Sequence, residues 1–158
     1  MNFVRSAGLG KIAGAAGTVA LDAATYADMA LRGRPSSSAP SELVKKLAAA
    51  AGIAALTGDD ATASNRRGGV GALLGYTNGV AIGGFYGTLR ACGVRIPPLL
   101  AGFALGALAM AASDVPMVRT GATDPSTWGA AGWLSDIIPH AIYGLTTAYV
   151  FELIAVDG

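Results

Sequence analysis

The sequence predicts an all-α polytopic membrane protein, with about four transmembrane helices and one interfacial amphipathic helix. Three observations carry this. The 158 residues are 53% hydrophobic and only 13% charged, with mean hydropathy +0.50. An average soluble domain carries about 25% charged residues, enough to face water. The few charges cluster between long apolar runs, and those runs have the length needed to cross about 30 Å of hydrocarbon. Residues 1–158 read as one membrane domain.

The first span is expected at 12–31 and stops at Arg32-Gly33-Arg34-Pro35. Arg5 and Lys11 ahead of an apolar stretch imitate a signal peptide, and Ala20-Leu21-Asp22 imitates a cleavage site. The apolar character continues to Leu31, longer than a signal core requires, which favours an uncleaved helix. Pro40-Ser41-Glu42 then reads as a helix start with Ser41 as N-cap. That helix, 41–56, places Leu43, Val44, Leu47 and Ala51 on one face. It either lies in the membrane interface or packs under a loop.

A polar linker leads to the second span, 68–89, which contains no charge. Pro97 and Pro98 open the third span, 97–113, where the first helical turn tolerates proline. The stretch from Asp114 to Asp136 reads as a loop holding Pro116, Gly121, Pro125, Trp128 and Trp133. Its two tryptophans suit an aromatic belt at the membrane surface. The fourth span is expected at 137–156, with Ser135 as its cap. Lys and Arg counts place loops one and three in the cytoplasm and both termini outside.

The second span carries Gly71, Gly75, Gly79, Gly83 and Gly87, five glycines at a spacing of four. Lipid gives no hydrophobic drive for helix association, so close backbone approach supplies it. Such a face serves either internal packing or docking of a partner subunit. Gly10, Gly14 and Gly17 repeat the pattern in the first span, and Gly102 and Gly106 in the third.

Ionisable residues at membrane depth are costly, so each is a candidate for function. Lys11, Thr18, Asp22 and Tyr26 share a face of the first span. Asp28 has Arg32 four residues on, an ordinary helical pair. Asn78 is expected to bond to a neighbouring helix. Asp114 closes the third span. Asp136 and His140 share a face at the start of the fourth, continued by Tyr143 and Thr147. They form either a proton relay or a helix cap with its partner. The candidate polar or proton-relay set is therefore Asp22, Tyr26, Asp114, Asp136 and His140.

Several classes are disfavoured. Net charge +1 offers no field for nucleic acid. The single Cys92 allows no internal disulfide, and one histidine without ligand-spaced carboxylates disfavours a metal. Catalytic triads, phosphate loops and zinc-protease patterns do not occur, so no enzyme activity and no cofactor are expected.

Ser113-Asp114-Val115-Pro116-Met117, then Gly121, Pro125, Trp133, Ser135-Asp136 and His140, resemble the C-terminal half of the YagU-like family of bacterial inner-membrane proteins. The first span with its Arg32-Gly33-Arg34-Pro35 stop resembles actinobacterial membrane proteins. The resemblance has specificity over about 40 residues and departs in length and in the whole first loop. It implies a multi-pass protein of the bacterial plasma membrane and no particular reaction. Two functions remain in view. One is a structural or accessory subunit docking through glycine-rich faces onto other membrane subunits or itself. The other is an oligomeric small-solute or proton-linked transporter using the intramembrane acids and histidine.

Overall fold

The computed structural model describes residues 2–155, and every regular element among them is helical. Five α-helices follow in order: α1 (Phe3–Arg32), α2 (Ala39–Ala50), α3 (Ala61–Ala91), α4 (Pro98–Arg119) and α5 (Gly129–Ala155). Short 3-10 turns at Ala54–Leu56 and Pro125–Thr127 sit in the connections.

The ends follow capping chemistry. The Asn2 side chain accepts from the Val4 N–H at 3.0 Å and starts α1. Gly33, at φ 63°, ends it in the left-handed conformation that glycine adopts without strain. Asp60 caps α3 by accepting from the Ala63 N–H at 3.0 Å.

Four long helices run alternately up and down. Gly10 of α1 meets Gly87 of α3, and Gly14 meets Gly79 and Gly83. On the other side α1 meets α5, through Gly17 against Tyr143 and Thr147. Gly102 and Gly106 of α4 lie against Gly144 and His140 of α5. The order across the layer is therefore α3, α1, α5, α4. The chain reversals put Arg32, Arg34, Arg66, Arg67 and Arg119 at one end, here the basic end. Arg5, Arg90 and Arg95 lie toward the other.

Small residues fill the interior. The buried hydrophobic set includes Ala13, Ala101, Ala109 and Ala148, with Tyr86, Leu105, Tyr143 and Phe151 as its main bulk. Large apolar side chains face outward on every long helix: Val19 (62%) on α1, Leu73 (66%) on α3, Leu100 (60%) on α4 and Leu153 (74%) on α5 are all exposed. Tyr143 of α5 bridges to α1 and α3. It is 1% exposed, lies against Gly17, and donates its hydroxyl to the Gly79 carbonyl at 2.7 Å.

Several boundaries differ from expectation. The segment 41–56 holds a shorter helix that begins at Ala39; Ser38 takes the N-cap position, not Ser41. Its Pro40 packs on Gly71, and its Val44 and Ala48 are buried. The expected loop 114–136 is largely helix. Proline at 116 does not stop α4, which runs on to Arg119 and breaks at Gly121, φ 67°. Ser113 Oγ donates back to the Met110 carbonyl at 2.9 Å in this stretch, and such side-chain bonds accompany proline in apolar helices. Likewise α5 begins at Gly129 and continues through Pro139. Trp133 is thus on α5, not in the loop, and packs on Trp128 with ring centroids 5.1 Å apart. Ser135 is inside the helix and caps nothing. Val156, the expected last residue of the fourth span, lies outside the described residues.

Among the described residues, two helices are long and apolar enough to cross a membrane: α4, mean hydropathy 1.6, and α5, mean hydropathy 1.3. α1 and α3 are longer, 30 and 31 residues, but glycine, threonine and ionisable side chains dilute them.

Candidate functional site

The candidate residues fall into two separate groups. The first lies between α4 and α5. Asp114 of α4 and Asp136 of α5 bring their carboxyl groups together across the interface, with His140 beside them. His140 Nδ1 is 2.8 Å from the Asp136 carbonyl oxygen and 3.3 Å from its Oδ1. Both oxygens are acceptors, so Nδ1 carries the hydrogen and Nε2 is left for other partners. Asp136 Oδ2 is buried with no hydrogen-bond donor, an arrangement that costs desolvation energy until a proton or donor arrives. Asp136 lies two turns inside α5, so it does not cap that helix.

The second group lies between α1 and α3. Asp22 Oδ2 accepts from the Tyr76 hydroxyl at 2.7 Å. Tyr26 is 62% exposed and stands outside this pair. Thr18 turns inward and packs on Gly79. No hydrogen bond or ion pair joins Asp22 to the Asp114–Asp136–His140 group among the described residues. The stripe read from the first span therefore does not meet the acids of α4 and α5. Asn78, half-buried, makes no side-chain hydrogen bond among the described residues.

The five-glycine face is shared out. Gly79, Gly83 and Gly87 are taken by α1, where an added Cβ would lie 2.3 Å from the Gly10 carbonyl oxygen at Gly83 and 2.1 Å from the Ser6 carbonyl oxygen at Gly87. Gly71 is taken by Pro40 of α2. Gly75 has no neighbour within 4 Å and stays open.

Two ionic clusters lie at the helix ends. At one end Arg90 pairs with Glu152 in direct contact, and its Nη1 also donates to the Tyr86 hydroxyl at 3.1 Å. At the basic end Asp28 accepts from Arg34 Nε at 2.5 Å and lies 3.0 Å from Arg32 Nε. The Asp28–Arg32 pair is the one the spacing predicts. Arg34 joining it, and Ser135 donating to Asp28 from α5 at 3.2 Å, depend on the fold. The Arg90–Glu152 pair had no signal either, since 62 residues separate its members.

Outside the helices, Asp59 is held below the usual carboxylate range by the Lys45 ammonium, 2.6 Å away. Asp124 is lowered by the Ser126 hydroxyl and N–H. Both are turn chemistry. Among the described residues no three His, Cys, Asp or Glu side chains converge as metal ligands would.

Comparison with known proteins yields no matching family model, no matching curated protein and no matching solved structure.

Proposed function

We propose that this chain is a multi-pass integral protein of the bacterial plasma membrane, with α1, α3, α4 and α5 as its four spans, and that it serves as a structural or accessory subunit. One observation carries the reading: the bundle is inverted relative to a water-soluble one. Glycine and alanine line its interior, while leucine, isoleucine, valine and phenylalanine face outward on all four long helices. In water this surface would be an aggregation site far larger than a monomer tolerates. In lipid it costs nothing, and close glycine contacts supply the association that hydrophobic burial no longer gives.

The accessory role has a place on the bundle. Gly75, the position of the five-glycine face with no neighbour within 4 Å, lets another helix approach closely. Affinity purification from native membranes in a mild detergent, followed by native mass spectrometry, tests the role. Stoichiometric foreign subunits are expected. A lone monomer or homo-oligomer would reject the accessory reading.

A second reading, an oligomeric proton-linked transporter, draws on the Asp114–Asp136–His140 group. A proton placed between the two carboxyl groups would give Asp136 Oδ2 its missing partner, and His140 could relay it. Reconstituted vesicles report on this directly: proton flux lost in both Asp136→Asn and His140→Ala supports it, and absence of flux in the wild type rejects it.

A further inference from the structure

We propose that the cleft between α1 and α5 at the basic end of the bundle binds one phospholipid with a net negative headgroup. The cleft encloses about 190 Å³. Its walls are apolar, with Ala24 from α1 and Leu134, Ile138 and Pro139 from α5. Its mouth is ionic, formed by Asp28, Arg32 and Ser135. An apolar slot under a charged rim matches the two ends of a lipid.

The charge at the rim decides the headgroup. Arg32 and Arg34 both pair with Asp28, so two guanidinium groups share one carboxylate. One positive charge is left over. Arg32 uses Nε toward Asp28 and Nη2 toward Ser135 Oγ, at 2.7 Å. Its remaining N–H groups are unused and its side chain is 39% exposed. A guanidinium matches a phosphate in bidentate geometry. A zwitterionic headgroup would bring its own cation against two arginines, whereas an anionic one neutralises the excess.

The height agrees. Trp133 is the chain neighbour of Leu134 and packs at a tilt on Trp128, and tryptophan is enriched at headgroup level. The cavity is smaller than the roughly 300 Å³ of a drug-sized pocket. It takes the glycerol backbone and upper methylenes, and the remaining acyl length runs over Leu134 and Ile138, which are 53% and 50% exposed. A free phosphate ester would fill the mouth and leave those walls bare.

The test uses the full-length protein, delipidated in detergent and titrated under native mass spectrometry. Phosphatidylglycerol and phosphatidylcholine with identical chains are compared. The first phosphatidylglycerol is expected to bind about fivefold tighter, the effect of one surface arginine. Arg32→Gln should bring the ratio to about one, and Arg66→Gln, a cation at the same end outside the cleft, should leave it unchanged. Ala24→Phe fills the slot with the ion pairs intact, so it remains informative if Arg32→Gln does not fold; it should weaken phosphatidylglycerol binding. Equal affinities for the two lipids would overturn the proposal, as would Ala24→Phe binding like wild type. So would displacement of the lipid by soluble glycerol phosphate, which would mark a phosphate-ester site. The inference rests on the membrane reading. Release of the protein from membranes by alkaline carbonate would sink that reading, whereas a retained protein with equal lipid affinities sinks this inference alone.

Discussion

Gly14 of α1 and Gly83 of α3 meet backbone to backbone: a Cβ added to Gly83 would lie 2.6 Å from the Gly14 Cα, and one added to Gly14 would lie 3.0 Å from the Gly83 Cα. Neither neighbour is a side chain that can rotate away. Gly83→Ala must therefore push the helices apart, at a cost of about 1–3 kcal/mol. Gly75→Ala, on the same helix with open space around it, should be neutral or slightly stabilising through helix propensity. Unfolding in mixed micelles measures both. Equal losses would show that the glycine contacts do not hold α1 to α3.

Arg90 and Glu152 tie α3 to α5, and Arg90 is only 12% exposed on its side chain. Removing one partner strands the other charge. Glu152→Met should cost about 1–3 kcal/mol, below the range of a fully buried pair because Glu152 keeps contact with solvent. The double variant Arg90→Met, Glu152→Met should cost less than Glu152→Met alone. A double-mutant cycle on thermal unfolding gives the answer.

Asp60 lies outside the long apolar segments and caps α3. The Ala63 N–H holds its carboxyl below its ordinary value. A depressed folded pKa contributes stability above the unfolded pKa, about 3.9, and loses it as pH falls through the folded value. The first turn of α3 should therefore fray below about pH 4, seen as loss of amide protection at Ala63. In Asp60→Asn, which keeps an acceptor but does not titrate, that pH dependence should vanish.

Cys92 is the one cysteine of the chain and is exposed in the turn between α3 and α4. If the chain spans the membrane as proposed, the excess of arginine and lysine at the opposite end predicts a cytoplasmic side for that end. A membrane-impermeant maleimide should label Cys92 in intact cells. A Ser37→Cys, Cys92→Ser variant should react only after permeabilisation. The reverse pattern would invert the topology.

Helix content and the order of the long helices were legible because apolar runs and glycine spacing are local signals. Boundaries were not. Pro116 falls in the expected loop, yet α4 runs through it to Arg119, just as α5 runs through Pro139. The Asp136–His140 pair followed from four-residue spacing, and Asp114 joined it through the α4–α5 packing. Tyr76 as the partner of Asp22 had no sequence signal, since 54 residues separate them. The same is true of Ser135 on Asp28. Spacing finds partners on one helix; only the packed bundle finds them on two.

The slot that receives Tyr143 is made of Gly17 and the Gly79 carbonyl, which belong to different helices. It does not exist in either helix alone. Synthesis runs from the N-terminus, so α1 and α3 leave the ribosome before α5. Both walls of the slot are therefore synthesised before the phenol that fills it. A chain without α5 leaves the Gly17 surface and the Gly79 carbonyl without the phenol that covers them.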